Sequence, residues 1–268
     1  MAVGTEGVVS VRVTLAQQPL AWQDPDENRG RFEALLAPLA GETDLVILPE
    51  TFTTGFTMEV ERVAEPADGP TVAWLQRLAY RLDAAVAGSV ITAEQGSYYN
   101  RLLWAEPGEG LRHYDKRHLF RMGGEHEHFT PGRAAWTVQW RGFRICPLVC
   151  YDLRFPVFSR RRADLDYDLL LYVANWPAAR AYAWRQLLIA RAIENQAFVA
   201  GVNRTGEDGC AVEHRGDSLV CDFLGQPLAE LAAMPGLRTV ELDLQALRAF
   251  RERFPAHLDA DRFTLCAP

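Results

Sequence analysis

The chain has 268 residues, of which 49% are hydrophobic and 24% charged, a composition typical of a globular protein with a substantial core. The formal net charge of −7 argues weakly against nucleic acid or an anionic membrane surface as a partner. No apolar run approaches the roughly 20 residues of a membrane-spanning helix, so we expect neither a nucleic-acid nor a membrane partner.

The cellular compartment is predicted from two features of the sequence. Residues 1–7 lack the basic start and the apolar stretch of a secretory signal. The five cysteines are an odd number without the spacing of a disulfide framework, which favours a reducing compartment. We therefore expect a cytoplasmic protein.

Short apolar runs typical of β-strands alternate with longer helical patterns along the chain. Strands are predicted over residues 8–15, 44–48, 85–91, 100–105, 136–140, 143–149, 168–174, 197–202, 218–223 and 239–242. Helices are predicted over residues 27–39, 71–83, 178–194 and 244–254. Two pairs of strands have the pattern of hairpins, around Gly96-Ser97 and around Arg141-Gly142.

This alternation predicts an α/β fold with mixed sheets covered by helices. No linker rich in Gly, Pro or Ser divides the chain, so residues 1–268 are interpreted as a single domain. Two sheets packed together, with helices outside each, would account for the number of strands. Periodicity alone does not choose between that arrangement and a single sheet covered on both faces.

A cysteine at the end of a predicted strand is the strongest indication of function. The apolar run 143–149 ends at Cys150, and polar residues with a predicted helix start follow at 151–156. Open α/β sheets place their ligands at the carboxyl ends of strands. A helix N-terminus would also favour the ionised thiol. Cys150 is therefore a candidate nucleophile.

Two further charged residues lie where predicted strands end. Glu50 ends the run 45–49, and Lys116 lies in the polar segment 113–118. If these strand ends converge with that of Cys150, the carboxylate can accept the thiol proton and return it to a leaving amine. The ammonium, aided by a backbone N–H near Tyr151, can stabilise an oxyanion. This chemistry is acyl transfer through a thioester.

Each of the three side chains also has an interpretation without catalysis. Glu50 fits a solvated carboxylate at a strand end, and Lys116 fits an exposed loop charge, which is the usual position of a lysine. Cys150 fits a small buried apolar residue, as does Cys146 four residues earlier in the same predicted strand.

Several separated motifs together resemble the nitrilase superfamily of carbon–nitrogen hydrolases, and the similarity covers nearly the whole chain. They are 48–50 (LPE), 114–116 (YDK), 150–156 (CYDLRFP), 175–177 (NWP), 191–195 (RAIEN), 203–206 (NRTG) and 216–225. The resemblance implies a four-layer α-β-β-α sandwich, no cofactor and a homodimer. It also implies that Glu50 is the general base, Lys116 the oxyanion stabiliser and Cys150 the nucleophile.

The segment 116–120, followed by Glu125-His126, resembles the omega-amidase branch of that superfamily. This branch cleaves the terminal amide of 2-oxoglutaramate and 2-oxosuccinamate. The superfamily has a second active-site glutamate, for which the branch pattern favours Glu125 over the neighbouring Glu127. The four histidines between 113 and 128 fit no standard zinc spacing, so no metal site is expected.

An anionic substrate would need a cation in its pocket. Arg154 is the candidate, since guanidinium groups bind carboxylates through paired hydrogen bonds. An ion pair with Asp152 or a position on a helix surface are the alternatives. The candidate wall residues are Phe120, Met122, Tyr151 and Trp176, which could equally be ordinary packing residues.

The predicted function is therefore that of an omega-amidase-like hydrolase. The alternatives are an amidase for deaminated glutathione, an N-carbamoyl hydrolase, a nitrilase, and a catalytically silent binding protein with the same fold. A redox-sensing cysteine protein is disfavoured because Cys150 has no partner at Cys-x-x-Cys spacing.

Overall fold

The computed structural model describes residues 9–108 and 110–266, which form a mixed α/β structure. Its strands are β1 (Ser10–Gln17), β2 (Leu45–Ile47), β3 (Glu65–Pro66), β4 (Ala85–Glu94), β5 (Ser97–Ala105), β6 (Arg112–Asp115), β7 (Val138–Trp140), β8 (Phe143–Val149), β9 (Leu169–Ala174), β10 (Phe198–Asn203), β11 (Thr205–Glu207), β12 (Glu213–Arg215), β13 (Ser218–Cys221), β14 (Pro227–Leu231) and β15 (Gly236–Asp243). Its α-helices are α1 (Pro25–Leu36), α2 (Val60–Val63), α3 (Pro70–Leu82), α4 (Glu125–His128), α5 (Pro156–Ser159), α6 (Ala181–Asn195) and α7 (Leu244–Arg253).

Most of the strands belong to two mixed sheets. The first sheet has the order β15-β1-β2-β4-β5-β6, with β3 also paired to β4. The second sheet has the order β14-β13-β10-β9-β8-β7, and β11 and β12 form a separate hairpin. In each sheet the central strands are parallel, β1-β2-β4 in the first and β8-β9-β10 in the second. The carboxyl ends of these parallel strands therefore point the same way within each sheet.

The two sheets pack face to face because each has an apolar inner surface. Val13 and Trp104 of the first sheet and Leu148 of the second belong to one fully buried cluster between them. Helices α1 and α3 cover the outer face of the first sheet, and α6 packs on β10 and β13 of the second. The predicted four-layer α-β-β-α sandwich is confirmed, since burying both faces of each sheet stabilises that arrangement.

Local sequence explains where the helices begin and end. Pro25 starts α1 with its φ already fixed, and the side chain of Asp24 accepts a hydrogen bond from the Glu27 N–H at 3.0 Å. Asp243 caps α7 in the same way. Helix α3 ends where Asp83 turns into the left-handed region at φ 51°.

The ten predicted strands and four predicted helices are all present, with bounds that shift by a few residues. Residue 8, the predicted start of the first strand, lies outside the described residues. The predicted turn at Arg141-Gly142 is confirmed, with φ of 43° and 86°. The other turn is at Gln95-Gly96 and not at Gly96-Ser97, because a two-residue hairpin of this type favours glycine at its second position.

No helix within residues 9–108 and 110–266 is both long and apolar enough to cross a membrane.

Candidate active site

Strand ends from both sheets bring the three predicted chemical groups together. Glu50 follows β2, Lys116 follows β6, and Cys150 follows β8. The Lys116 Nζ atom lies 2.9 Å from Glu50 Oε1, and all three side chains are buried. They line one cavity of about 610 Å³. The convergence expected from their positions along the chain is thus present in the structure.

The position of Glu50 depends on a close approach between its loop and strand β4. The Leu48 N–H donates to the Ala87 carbonyl at 2.7 Å, and the Phe52 N–H donates to the Ser89 carbonyl at 3.0 Å. A Cβ atom at Gly88 would lie 2.8 Å from the Leu48 Cβ and 2.9 Å from the Phe52 ring. Only glycine therefore allows the loop to lie this close to the sheet.

Hydrogen bonds of the Lys116 backbone to two neighbouring segments hold this residue in place. Its N–H donates to the Asn100 carbonyl at 2.9 Å, and its own carbonyl accepts from the Gly132 N–H at 2.9 Å. A Cβ atom at Gly132 would lie 1.9 Å from the Asp115 carbonyl oxygen, so a side chain there would displace the crossing segment. The ammonium is therefore placed by strand pairing and not by a flexible loop.

The turn after β8 differs from the predicted helix start. Residues Cys150–Arg154 form a 3₁₀-helix, and α5 starts only at Pro156. Cys150 itself has a φ of 41°, in the left-handed region, which costs a non-glycine residue of the order of 1–2 kcal/mol. The surrounding hydrogen bonds of Asp152 hold this strained turn, as its Oδ2 accepts from the Val149 N–H at 3.0 Å.

The charges around Lys116 keep it ionised. Burial alone would lower the pKa of Lys116, but the nearby carboxylates of Glu125 and Glu50 outweigh it and raise the pKa above its ordinary value. Burial raises the pKa of Glu125, against the opposing effect of Lys116. The site therefore presents a permanent ammonium beside two carboxyl groups.

The surroundings of Cys150 favour the neutral thiol, in contrast to the prediction from a helix end. Burial, and then the negative charge of Glu50, raise its pKa well above the ordinary value of a cysteine. Lys116 acts in the opposite direction and does not outweigh them. The prediction was wrong because a single 3₁₀ turn replaces the expected α-helix, and because the Cys150 side chain is buried beside the Glu50 carboxylate.

Glu125, and not Glu127, lies beside Lys116 and Glu50. Its carboxylate accepts two hydrogen bonds from Lys116 Nζ, at 2.8 and 2.9 Å, and one from the Phe120 N–H at 2.5 Å. Glu127 is exposed, with 69% of its side chain accessible, and lies near His126. The short helix α4 turns these two side chains to opposite environments.

Two asparagines belong to the site although the sequence analysis did not identify them. The Asn100 side chain donates to Glu50 at 2.8 Å and to Glu125 at 3.1 Å. The Asn175 backbone N–H donates to Glu50 Oε2 at 2.7 Å. Asn175 lies in the motif at 175–177, whereas Asn100 sits in a strand and carries no sequence pattern of its own.

The predicted wall residues all border the cavity. Tyr151 packs edge-on against Phe120, with ring centres 5.1 Å apart, and Trp176 is almost fully buried. Met122 lines the same cavity but is 76% exposed, which puts it at the rim.

Arg154 also borders the cavity, and its guanidinium carbon lies 4.8 Å from the centre of the Trp176 ring. The alternative ion pair with Asp152 is not formed. The Asp152 oxygens accept instead from Tyr114, His118 and Val149.

Among the described residues, no group of three or more histidine, cysteine, aspartate or glutamate side chains is arranged to hold a metal ion.

Comparison with known proteins identifies the family. Residues 12–252 match the family model of the carbon-nitrogen hydrolases. The chain belongs to the carbon–nitrogen hydrolase family. This hydrolase is 49% identical over 256 residues to omega-amidase YafV of Escherichia coli K12, covering 95% of this chain and 98% of the relative. It is 33% identical over 250 residues to the 2-oxoglutaramate amidase of Bacillus subtilis, covering 92% and 96% of the two chains.

A solved structure shows the same architecture. It is XC1258 from Xanthomonas campestris, described as a CN-hydrolase superfamily protein with an arsenic adduct in its active site. The TM-score with this hydrolase is 0.94 at 54% identity, over 96% of this chain and 99% of the other. The predicted membership of the nitrilase superfamily is confirmed.

Proposed function

We propose that this carbon–nitrogen hydrolase is an omega-amidase, which releases ammonia from 2-oxoglutaramate and 2-oxosuccinamate. The observation that carries the proposal is a single cavity that joins Cys150, Glu50 and Lys116 to the guanidinium of Arg154, which forms no ion pair with the residues that the structure describes. The names of the E. coli and B. subtilis relatives support the same substrate class.

In the first half of the reaction, Glu50 takes the proton of the Cys150 thiol as the sulfur attacks the amide carbon. Burial and the charge of Glu50 raise the pKa of this thiol, so a base must take its proton at that moment. The carbonyl oxygen becomes an oxyanion, which the Lys116 ammonium stabilises. Glu50 then gives its proton to the nitrogen, ammonia leaves, and a thioester remains.

In the second half, water replaces ammonia as the reacting molecule. Glu50 accepts a proton from the water as its oxygen attacks the thioester carbon. The carbon–sulfur bond breaks, the acid product leaves, and the Cys150 sulfur regains a proton. Glu125 acts on this cycle by fixing Lys116, since its carboxylate accepts two of the ammonium hydrogen bonds.

The distal part of the substrate extends towards Arg154. A planar guanidinium stacked on Trp176 keeps its edge free to bind a carboxylate through paired hydrogen bonds. Phe120, Tyr151, Trp176 and Met122 would bound the short carbon chain between the amide and the carboxylate.

An ammonia-release screen tests the proposal. We expect turnover of 2-oxoglutaramate that exceeds turnover of neutral amides, nitriles and carbamoyl compounds. Cys150→Ala should reduce ammonia release to background, because it removes the thiol that lies beside Glu50 and Lys116. Cys266→Ser, at an exposed cysteine, serves as the control and should keep wild-type rates. Turnover by Cys150→Ala would reject the nucleophile, and a preference for carbamoyl compounds or nitriles would reject the substrate class.

We also propose that the protein is a cytoplasmic homodimer. Tyr182 and Ile193 lie on one face of α6 and are 80% and 52% exposed, with Leu224 exposed nearby. An exposed apolar stripe of this kind is typical of a protein interface, and two-fold dimers are the commonest soluble assembly. All five cysteines are free, which suits a reducing compartment.

Light scattering during size exclusion measures the assembly. We expect twice the mass of one chain for the wild type and a single-chain mass for Ile193→Glu. Tyr80→Glu changes an exposed large residue on α3, in the opposite outer layer, and should remain dimeric. A wild-type protein with the mass of one chain would contradict the proposal.

A further inference from the structure

A second arginine borders the cavity from the segment that follows β9. Arg180 and Arg154 both line it, together with Cys150. Among the described residues, no carboxylate oxygen lies within 4.0 Å of either guanidinium, and neither group donates a hydrogen bond to a protein atom. Two partly buried cations without a counterion next to a nucleophile indicate a site for an anion.

Both guanidinium groups rest on aromatic rings of the cavity wall. The Arg154 guanidinium carbon is 4.8 Å from the centre of the Trp176 ring, and that of Arg180 is 5.3 Å from the centre of the Phe120 ring. A guanidinium over the face of an aromatic ring is attracted to it, and this contact restrains the cation without using its N–H donors.

The two stacking positions are tied to each other and to the catalytic carboxyl groups. Trp176 Nε1 donates to the Arg180 carbonyl at 2.9 Å, so the ring under Arg154 is anchored to the backbone of Arg180. The Phe120 N–H donates to Glu125, which itself accepts from Lys116. The Phe120 ring, over which Arg180 lies, is therefore anchored to the residues around Lys116. The distance from these cations to the reacting sulfur is therefore set by fixed elements.

We propose that Arg180 is a specificity-determining residue, which together with Arg154 binds the carboxylate at the end of the substrate remote from the amide. This inference rests on the proposed function and names the group that selects its substrate class. A carboxylate entering this largely apolar cavity, near Glu50, loses water and meets a like charge, so it needs more than one cation. Two guanidinium edges can supply both charge and directed donors.

Three amides of matched length separate the possible roles of Arg180. They are 2-oxoglutaramate, glutaramate, which lacks the ketone, and pentanamide, which also lacks the carboxylate. We expect Arg180→Met to reduce kcat/KM for both acids by about 10- to 100-fold, mainly through KM, and to change pentanamide by less than about threefold. Arg154→Met should behave alike, and Arg180→Lys should lose less than Arg180→Met.

Arg121→Met is the matched control, because Arg121 is exposed beside Phe120 and does not line the cavity. It should leave all three substrates unchanged, which excludes a general effect of charge. Equal losses on pentanamide and on the acids would overturn the proposal, as would no loss on any of them. A loss restricted to 2-oxoglutaramate would also overturn it, since Arg180 would then bind the ketone and not the carboxylate.

A binding measurement keeps the inference separate from the turnover of any amide. Glutarate should slow the alkylation of Cys150 by iodoacetamide in the wild type, with protection half-maximal at an at least tenfold higher glutarate concentration in Arg180→Met. If the wild type hydrolyses none of the omega-amides but this shift is found, the proposed function fails and the anion site stands. Equal protection in both proteins would reject the site.

Discussion

At the scale of single residues, the Cys150 thiol lies between opposing influences. Burial and the Glu50 carboxylate raise its pKa, whereas the Lys116 ammonium lowers it. The raised pKa favours the neutral thiol, which under the proposed mechanism couples ionisation of Cys150 to attack on the substrate. Such coupling protects the cysteine from reacting with chance electrophiles while the cavity is empty.

The pH dependence of alkylation tests this protonation state. Because the pKa of this thiol is raised well above its ordinary value, the thiolate fraction should rise about tenfold per pH unit from about 6 to 9. The rate of Cys150 modification by iodoacetamide, followed by mass spectrometry of its peptide, should rise in parallel without a plateau. Glu50→Gln removes a charge that raises the pKa and should therefore speed alkylation at pH 8. A plateau below pH 7.5 in the wild type would show a resting thiolate.

Some residues of the site were predictable because a local sequence pattern marks them, and others were not because only the folded structure places them. Glu50 and Cys150 each end an apolar run, where a polar residue is visible in the sequence, and Lys116 lies in the motif at 114–116. Asn100 and Arg180 have no such mark, because their roles come from contacts made only once both sheets are packed. The direction of the Cys150 pKa shift was likewise inaccessible, since it depends on burial.

At the scale of elements, Asp152 connects the segment of Lys116 to the turn of Cys150. Its fully buried carboxylate accepts from the Tyr114 hydroxyl at 2.8 Å and from the Val149 N–H at 3.0 Å. It also accepts from His118, through the backbone N–H at 3.0 Å and the ring at 2.8 Å. One side chain thus fixes the geometry between the segment of Lys116 and the turn of Cys150, which follow strands of different sheets.

Substitution of Asp152 should therefore affect turnover more than binding. In Asp152→Asn an amide N–H₂ replaces one acceptor and faces donors, which we expect to lower the free energy of unfolding by about 2–4 kcal/mol. We expect kcat for 2-oxoglutaramate to fall by at least about tenfold, with KM changed less than about threefold. Tyr114→Phe removes a single donor and should cost only about 1 kcal/mol. Denaturant titration and steady-state kinetics measure both effects, and an unchanged kcat in Asp152→Asn would refute the positioning role.

The elements that the sequence analysis missed are short or polar. The hairpin β11–β12 has three residues in each strand and carries Glu207 and Glu213 instead of an apolar alternation. Strand β14 lies at an edge of its sheet and follows a turn in which Asp222 accepts from the Leu224 and Gln226 N–H groups. Helix α4 spans four residues, too few for a helical period to be visible. Long apolar strands, in contrast, were predicted correctly because their apolar composition itself indicates that they are buried.

At the scale of the whole molecule, the packing of two sheets was the part that periodicity left open. A buried strand has the same apolar composition in a single covered sheet and in a pair of packed sheets, so local pattern does not distinguish them. In the structure, β1 of the first sheet contacts β10 and β13 of the second. We propose that residues 1–268 form a single domain, and this shared core supports the proposal.

Arg251 also supports the proposal of a single domain, because it links the last helix, α7, to the second sheet. Helix α7 directly follows β15 of the first sheet. From α7, Arg251 donates to Asp168 at 2.8 Å, to the Tyr167 carbonyl at 2.8 Å and to the Gln196 carbonyl at 2.8 Å, all of which border strands of the second sheet. The contacts are buried and lie away from the cavity of Cys150.

Arg251→Met should consequently destabilise the whole molecule and not a part of it. Removing one partner of a buried ion pair leaves Asp168 with fewer donors, and we expect the free energy of unfolding to fall by about 3–5 kcal/mol. Arg248→Met, at an exposed position of the same helix, should change it by less than about 0.5 kcal/mol. If the sheets form one cooperative unit, tryptophan fluorescence and circular dichroism should report one coincident transition in both variants. Two separate transitions in Arg251→Met would instead mean that the two sheets unfold independently, each with its own stability.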